Sequence, residues 1–187
     1  RDLSETGSHA RGKQRLDRGT IWYTAQSGIW QTVWLEVVPA AHVASLQITP
    51  HLEQGVLEVV VSAGSTTQWV EPAETSVVVR DGDHVVAEES GRVGEPIRLT
   101  VPDPHPWTLE DPHLYDLEVT LGSGDRVTSY AAMRSLGVGE DDRGRRRFLL
   151  NGEPLWHLGV LDQGYWPDGL LTAPSDAAMV HDITTMK

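Results

Sequence analysis

Between residues 41 and 150 the sequence alternates short β-type segments with turn signals, and no helical period interrupts them. Segment 56–63 is a strongly β-branched run, and segment 114–121 has apolar residues at alternate positions, as expected for half-buried strands. The Asp81-Gly82 pair predicts a two-residue hairpin turn. Further strand segments are 43–49, 76–80, 84–88, 97–101 and 126–133. About seven short strands in one stretch predict an immunoglobulin-like antiparallel β-sandwich.

The segment before this region is rich in tryptophan. Residues 1–20 are polar, charged and aperiodic, which predicts a loop or tail. Residues 21–38 contain Trp22, Trp30 and Trp34 among Val, Ile and Thr, and from Trp30 onward the residues alternate between two faces as in a strand. We expect these rings to be exposed if their parent domain is incomplete, and to favour self-association.

The last 37 residues have a different character. The Asn151-Gly152 pair predicts a tight turn between two strands, and residues 155–161 form a nearly continuous apolar run, typical of a strand buried in a parallel sheet. A Gly- and Pro-containing loop follows. Ser175 is then placed to cap a helix with an apolar stripe of Met179, Ile183 and Met186. This order predicts the first βα unit of a (β/α) domain that begins near residue 152.

Composition excludes several classes of function. With 15 Lys and Arg against 27 Asp and Glu, the net charge of −12 disfavours a nucleic-acid partner. No Cys is present, so thiolate nucleophiles and Cys-based metal sites are excluded. No apolar run approaches the roughly 20 residues of a membrane helix. The histidines are scattered without metal-ligand spacing, so the sequence predicts neither a metal site nor a cofactor.

Three motifs carry a resemblance to a known family. They are residues 27–36 (SGIWQTVWLE), residues 106–117 (PWTLEDPHLYDL), and Met133-Arg134-Ser135-Leu136-Gly137 followed by residues 148–154 (FLLNGEP). Together and in this order, the chain resembles glycoside hydrolase family 2. The resemblance implies three parts: the tail and closing strand of a jelly-roll sugar-binding domain over 1–38, an immunoglobulin-like sandwich over 39–150, and the first strand and helix of a truncated TIM barrel over 151–187.

The resemblance implies a parent enzyme that hydrolyses β-galactosides or β-glucuronides with retention, using two Glu residues. In the family the acid/base Glu follows an Asn, but Asn151 is the only Asn here and Gly follows it. We therefore assign no catalytic residue and expect a non-catalytic scaffold fragment, which meets carbohydrate substrate through the parent enzyme. The acidic run 140–142 faces the basic run 143–147, which favours a solvated turn with local charge neutralisation over a catalytic pair.

The best candidate for a local site is the loop 162–169. It follows the first predicted barrel strand, and active sites of such barrels lie at the C-terminal ends of strands. Asp162 and Gln163 are candidates for binding sugar hydroxyls, and Tyr165 or Trp166 for stacking on a sugar ring. The alternative, that these aromatic side chains only fill the rim of the barrel, stays open.

Two other interpretations of the whole chain stay open. One is a stand-alone β-sandwich module that binds carbohydrate or a protein partner, as the seven Trp suggest. The other is a decayed or remodelled gene product, because the family motifs differ at Leu109, at Ala131-Ala132 and at His157, which stands one place early. The compartment is also open between the bacterial cytoplasm and secretion, since no signal-peptide core occurs in residues 1–20 and the lack of Cys fits both.

Overall fold

The computed structural model describes residues 13–17, 19–26, 28–65 and 74–187. Most of the predicted tail over 1–20 and Ser27 of the first motif lie outside the described residues. The strands are β1 Gln14–Arg15, β2 Tyr23–Thr24, β3 Ala41–His51, β4 Val56–Ser65, β5 Glu74–Asp81, β6 His84–Arg92, β7 Pro96–Thr100, β8 Tyr115–Leu121, β9 Arg126–Ala131, β10 Leu136–Glu140, β11 Arg146–Leu150 and β12 Glu153–Leu155. A 3-10 helix spans Leu52–Gln54, and the helix α1 spans Asp176–Met186.

The described chain divides into two compact units. One is Glu36–His157, and the other combines residues before Glu36 with Leu158–Lys187. The larger unit contains a sheet of order β3-β4-β7 and a sheet of order β6-β5-β8-β9, with all neighbouring strands antiparallel. These seven strands confirm the predicted antiparallel β-sandwich.

Alternation along the strands explains how the sandwich closes. In β8 the side chains of Tyr115, Leu117, Val119 and Leu121 are buried, and the residues between them face outward. Strands β4, β5 and β7 repeat this pattern. The buried core comprises Leu57, Val59, Val61, Val77, Val79, Ile97, Leu99, Val101, Tyr115, Leu117, Val119, Ala131 and Met133. Burial of each large aliphatic side chain contributes about 1.5–3 kcal/mol, so the core rather than the turns holds the two sheets together.

The hairpin between β5 and β6 differs by one residue from the prediction. Asp81 pairs with His84, so the two turn residues are Gly82 and Asp83 and not Asp81-Gly82. A β-bulge between Val79 and Arg80 shifts the register, which a sequence alternation does not reveal. Gly82 supplies the positive φ of 55° that the tight turn requires.

A third sheet of order β10-β11-β12 follows the sandwich. The predicted Asn151-Gly152 turn is confirmed: Leu150 pairs with Glu153, and the two turn residues have φ of 52° and 84°. Positive φ at both central positions is the signature of a type I′ hairpin.

Two predicted strands are absent. Residues 28–40 form no strand, and β12 ends at Leu155, so residues 156–161 form none either. Leu158 is 91 % exposed, contrary to the prediction of a buried parallel strand. A strand needs a hydrogen-bonded neighbour, and the described residues provide none beside either segment. The assignment of residues 151–187 to a barrel stays a prediction.

The smaller unit contains the parallel pair β1–β2 and the helix α1. The predicted cap of α1 is confirmed, because Ser175 Oγ accepts a hydrogen bond from the Ala178 backbone N–H at 3.2 Å. The apolar stripe of the helix, which includes Met179 and Ile183, is exposed. No helix among the described residues has the length and apolar character needed to cross a membrane.

Candidate functional site

The two polar residues of the predicted sugar-binding loop have protein partners. Asp162 Oδ1 accepts a hydrogen bond from the Gly164 backbone N–H at 2.7 Å, which closes a local turn. Gln163 Oε1 accepts from the Tyr23 hydroxyl. Both side chains are exposed, so each retains capacity to bind a further hydroxyl group.

The two aromatic residues of the loop are half-buried. Tyr165 stacks on Tyr23 with ring centroids 4.4 Å apart and planes inclined by 17°, and its hydroxyl donates to the Thr24 carbonyl oxygen at 2.8 Å. Trp166 forms a β-bridge with Leu170 through its backbone. The structure therefore brings Gln163 and Tyr165 together against β2, while Asp162 and Trp166 bond to the nearby Gly164 and Leu170. The assignment of these four residues to substrate stays a proposal.

A second candidate site lies in the same unit. Trp30 and Trp34 line a groove of about 530 Å³ together with Ile29, Thr32 and Thr172. The Thr172 hydroxyl donates to the Trp30 carbonyl oxygen at 3.1 Å, which holds the two ends of the unit together there. An indole face with nearby hydroxyl groups suits the apolar face and the hydroxyl groups of a sugar ring.

Sequence reasoning missed Tyr23 and Thr172 as members of these sites. The hydrogen bonds join Tyr23 to a residue 140 positions away and Thr172 to one 142 positions away. No periodicity or short motif signals a contact at that separation. The Trp-rich composition was the one available signal for the groove.

The acidic run at 140–142 is organised around Asp141, as charge neutralisation predicted. Its side chain is 10 % exposed and accepts hydrogen bonds from the backbone of Arg143 and Arg145 and from the guanidinium groups of Arg145 and Arg147 at 2.9–3.1 Å. The Arg145 backbone bond is the largest influence, and together these bonds lower the pKa of Asp141 to about 2. A carboxyl group held ionised in this way cannot serve as the general acid of a glycosidase.

Glu53 is the other described carboxyl group with a shifted pKa. Its own backbone N–H and then the Ser135 hydroxyl lower that pKa by hydrogen bonding to the ionised form. The shift is again opposite to the one that a general acid requires. Among the residues that the structure describes, no group of three or more His, Asp or Glu is arranged to hold a metal ion.

Histidine and carboxylate side chains also cluster at one end of the sandwich. His105 and His113 stack with centroids 4.3 Å apart, His105 Nε2 lies 2.6 Å from Asp111 Oδ2, and His113 Nε2 lies 3.4 Å from Asp81 Oδ1. The His105 backbone N–H donates to the Tyr115 hydroxyl at 2.8 Å. These contacts tie the β7–β8 loop to the β5–β6 hairpin.

The model of the family described as Glycosyl hydrolases family 2 matches residues 41–134, the span of the sandwich. A β-galactosidase of Klebsiella pneumoniae (strain 342) is 28 % identical over 190 residues, which covers 92 % of this chain and 18 % of that protein.

Similar solved structures include two β-glucuronidases. The Lactobacillus rhamnosus enzyme aligns with a TM-score of 0.64 at 21 % identity, over 80 % of this chain and 24 % of that one. The Dictyoglomus thermophilum β-D-glucuronidase aligns with a TM-score of 0.60 at 23 % identity, over 78 % and 23 %. At these identities the structures show a shared fold, and this chain spans about a quarter or less of each relative's length.

Proposed function

Because the chain belongs to glycosyl hydrolase family 2, we propose that it is a non-catalytic scaffold segment of a β-glycosidase. The observation that carries the proposal is that the family match coincides with a closed β-sandwich whose interior is apolar. Thr75 is the one buried polar residue among those described, so this core offers no carboxylate to a substrate. The sandwich instead provides a rigid body on which other parts of an enzyme are mounted.

For the whole enzyme, we propose hydrolysis of β-galactosides or β-glucuronides with retention. The proposal is supported by the β-galactosidase relative and by the β-glucuronidase structures that share the fold. Retention requires two carboxyl groups about 5–5.5 Å apart, one of them with a raised pKa. The pKa of Asp141 and that of Glu53 are lowered, so neither group suits the acid role, and the proposal assigns the catalytic pair to the rest of the enzyme.

The purified 187-residue chain tests the scaffold proposal. We expect no release of nitrophenol from nitrophenyl β-galactoside or β-glucuronide above the rate in buffer. Turnover above that rate overturns the proposal. Sequencing the reading frame on both sides of the encoded chain tests the parent enzyme. Further βα units and an Asn-Glu pair are expected, and their absence contradicts the hydrolase assignment.

A carbohydrate-binding role is a second candidate, favoured by the groove at Trp30 and Trp34. Trp34 is 72 % exposed, as a stacking platform requires. Titration calorimetry with methyl β-galactoside tests it. Binding at this groove is supported if the wild-type chain and Trp107→Phe give saturable heat and Trp34→Ala does not. The absence of saturable heat from the wild-type chain excludes binding.

We also propose self-association through the Trp-rich segment. Val33, Leu35 and Val37 are exposed beside Trp34, which leaves a run of apolar side chains in water. Sedimentation velocity at increasing concentration is the test. The proposal is supported if the sedimentation coefficient rises with concentration and if the double variant Trp34→Ser, Leu35→Ser abolishes that rise. A monomer at all concentrations contradicts it.

A further inference from the structure

Within the described part of the chain Arg134 has no carboxylate partner, unlike several other arginine residues of the larger unit. Arg98 and Arg126 each pair with a glutamate, and Arg147 pairs with Asp141. Arg134 is half-buried, and among the described residues no carboxylate lies within 4 Å of its guanidinium group. Arg80 is also half-buried without such a partner in the described ranges, so what sets Arg134 apart is its surroundings. A partly desolvated cation without an anionic partner can gain from binding an external anion.

The guanidinium group lies over an aromatic ring. Its Cζ atom is 4.9 Å from the centroid of the Trp107 ring, within the range of a cation–π interaction. Stacking orients the planar group but uses none of its five N–H donors. These donors remain available to an acceptor that approaches from the side.

The same two residues line a groove of about 360 Å³ in the larger unit. The edge strand β3 supplies Ile48 and Pro50, and the opposite edge strand β9 supplies Tyr130, which is 66 % exposed. Leu114, Ala131 and Ala132 complete the apolar wall. The groove lies within the usual volume range of small-molecule sites, which combine apolar walls with a few polar groups.

We propose that this groove binds a six-membered ring that carries a carboxylate. The Arg134 guanidinium would take the carboxylate through two parallel N–H···O bonds, which is the geometry that this group favours. The ring body would lie against Tyr130 and the aliphatic wall, which supply apolar contact area. The inference goes beyond the proposed function and needs no hydrolysis, so it fails or succeeds independently of the scaffold role.

Two sources share this ligand chemistry, a uronic acid and an aryl carboxylate. Titration calorimetry of the full 187-residue chain with D-glucuronate and with benzoate separates them, and D-glucose is the uncharged control. We expect saturable heat with at least one carboxylate. Arg134→Gln should weaken that binding at least ~10-fold, because the charge-assisted bonds are lost. Arg98→Gln removes an arginine that already has Glu58 as partner and should leave binding unchanged.

Binding of glucuronate or benzoate that depends on Arg134 supports the proposal and identifies the source. No saturable heat with either carboxylate, or equal binding by Arg134→Gln, overturns it, as does D-glucose binding with the same Arg134 dependence. If Arg134→Gln fails to melt cooperatively, NMR of the wild-type chain replaces it. Chemical shifts of the Trp107 indole and Tyr130 must then move with ligand while those of Trp34 do not.

Discussion

The Asn151 backbone N–H donates to the Ser135 carbonyl oxygen at 2.9 Å, and the Ser135 N–H donates back to Asn151 Oδ1 at 3.0 Å. The side-chain nitrogen Nδ2 of Asn151 donates to the Trp107 carbonyl oxygen at 3.0 Å. One side chain thus joins the hairpin turn of the third sheet to the end of the sandwich and to the β7–β8 loop. The turn residue is therefore also a connection between sheets.

Replacing Asn151 tests this connection. Asn151→Gly keeps the positive φ of the turn but removes both side-chain hydrogen bonds, and we expect a loss of about 1–2 kcal/mol in the free energy of unfolding. Urea denaturation measures it. Asn151→Asp keeps the acceptor for Ser135 and places a carboxylate oxygen against the Trp107 carbonyl, so it should destabilise as well. Stability of Asn151→Gly equal to wild type would show that the side-chain bridge contributes nothing.

Truncation of the core gives a second prediction. Leu99 is fully buried between the sheets, and Leu99→Ala should reduce the free energy of unfolding by about 2–5 kcal/mol through lost burial and a residual cavity. Leu109→Ala is the matched control, because Leu109 is 51 % exposed and its truncation should change stability by less than about 0.5 kcal/mol. Equal losses in the two variants would contradict the assignment of the core.

The Asp141 cluster predicts a pH dependence. Because the pKa of Asp141 in the folded chain is about 2, against an ordinary value of 3.8, its ionised form stabilises the fold. That contribution is complete above about pH 4 and is lost as pH falls towards 2. Asp141→Asn should therefore be less stable than wild type at pH 6, and the difference should shrink between pH 4 and 2.

Urea denaturation of both proteins across this pH range measures the difference. Asp142→Asn changes the exposed neighbouring carboxylate and serves as the control. A constant difference between wild type and Asp141→Asn from pH 6 to pH 2 would rule out the proposed role of the Asp141 charge.

Two glycine residues with positive φ give a fourth prediction. Gly55 has φ of 61°, and a Cβ added there would lie 3.1 Å from the Val101 carbonyl oxygen. Gly82 has φ of 55° with open space around it. Ala at either position costs about 1–2 kcal/mol of backbone strain, and Gly55→Ala carries an additional steric cost. In thermal unfolding, the Tm should be highest for wild type, lower for Gly82→Ala and lowest for Gly55→Ala. A higher Tm for Gly55→Ala than for Gly82→Ala would contradict the close approach of a Cβ at position 55 to the Val101 carbonyl oxygen.

The sandwich was predictable because its strands carry their own signal. Alternation at 114–121 and β-branched residues at 56–63 report a buried face directly, and the Asn151-Gly152 pair and Ser175 report a turn and a helix cap through local backbone chemistry. The β5–β6 turn lies one residue further along the chain than predicted. The register shift between Val79 and Arg80 was also not predictable, because a bulge depends on the partner strand and leaves no trace in a single segment.

The sequence alone determined the β class, the sandwich, the hairpin at Asn151 and the capped helix, since each follows from interactions within a few residues. Tertiary structure decided whether apolar segments became strands. Residues 28–40 and 156–161 have strand-like sequences but lack hydrogen-bonding neighbours among the described residues. Tertiary structure also decided which partners single side chains have. Examples are the stack of Arg134 on Trp107 and the hydrogen bond from Asn151 to Trp107, 44 positions away. Contacts between distant segments depend on how the sheets pack, and local patterns do not encode that packing.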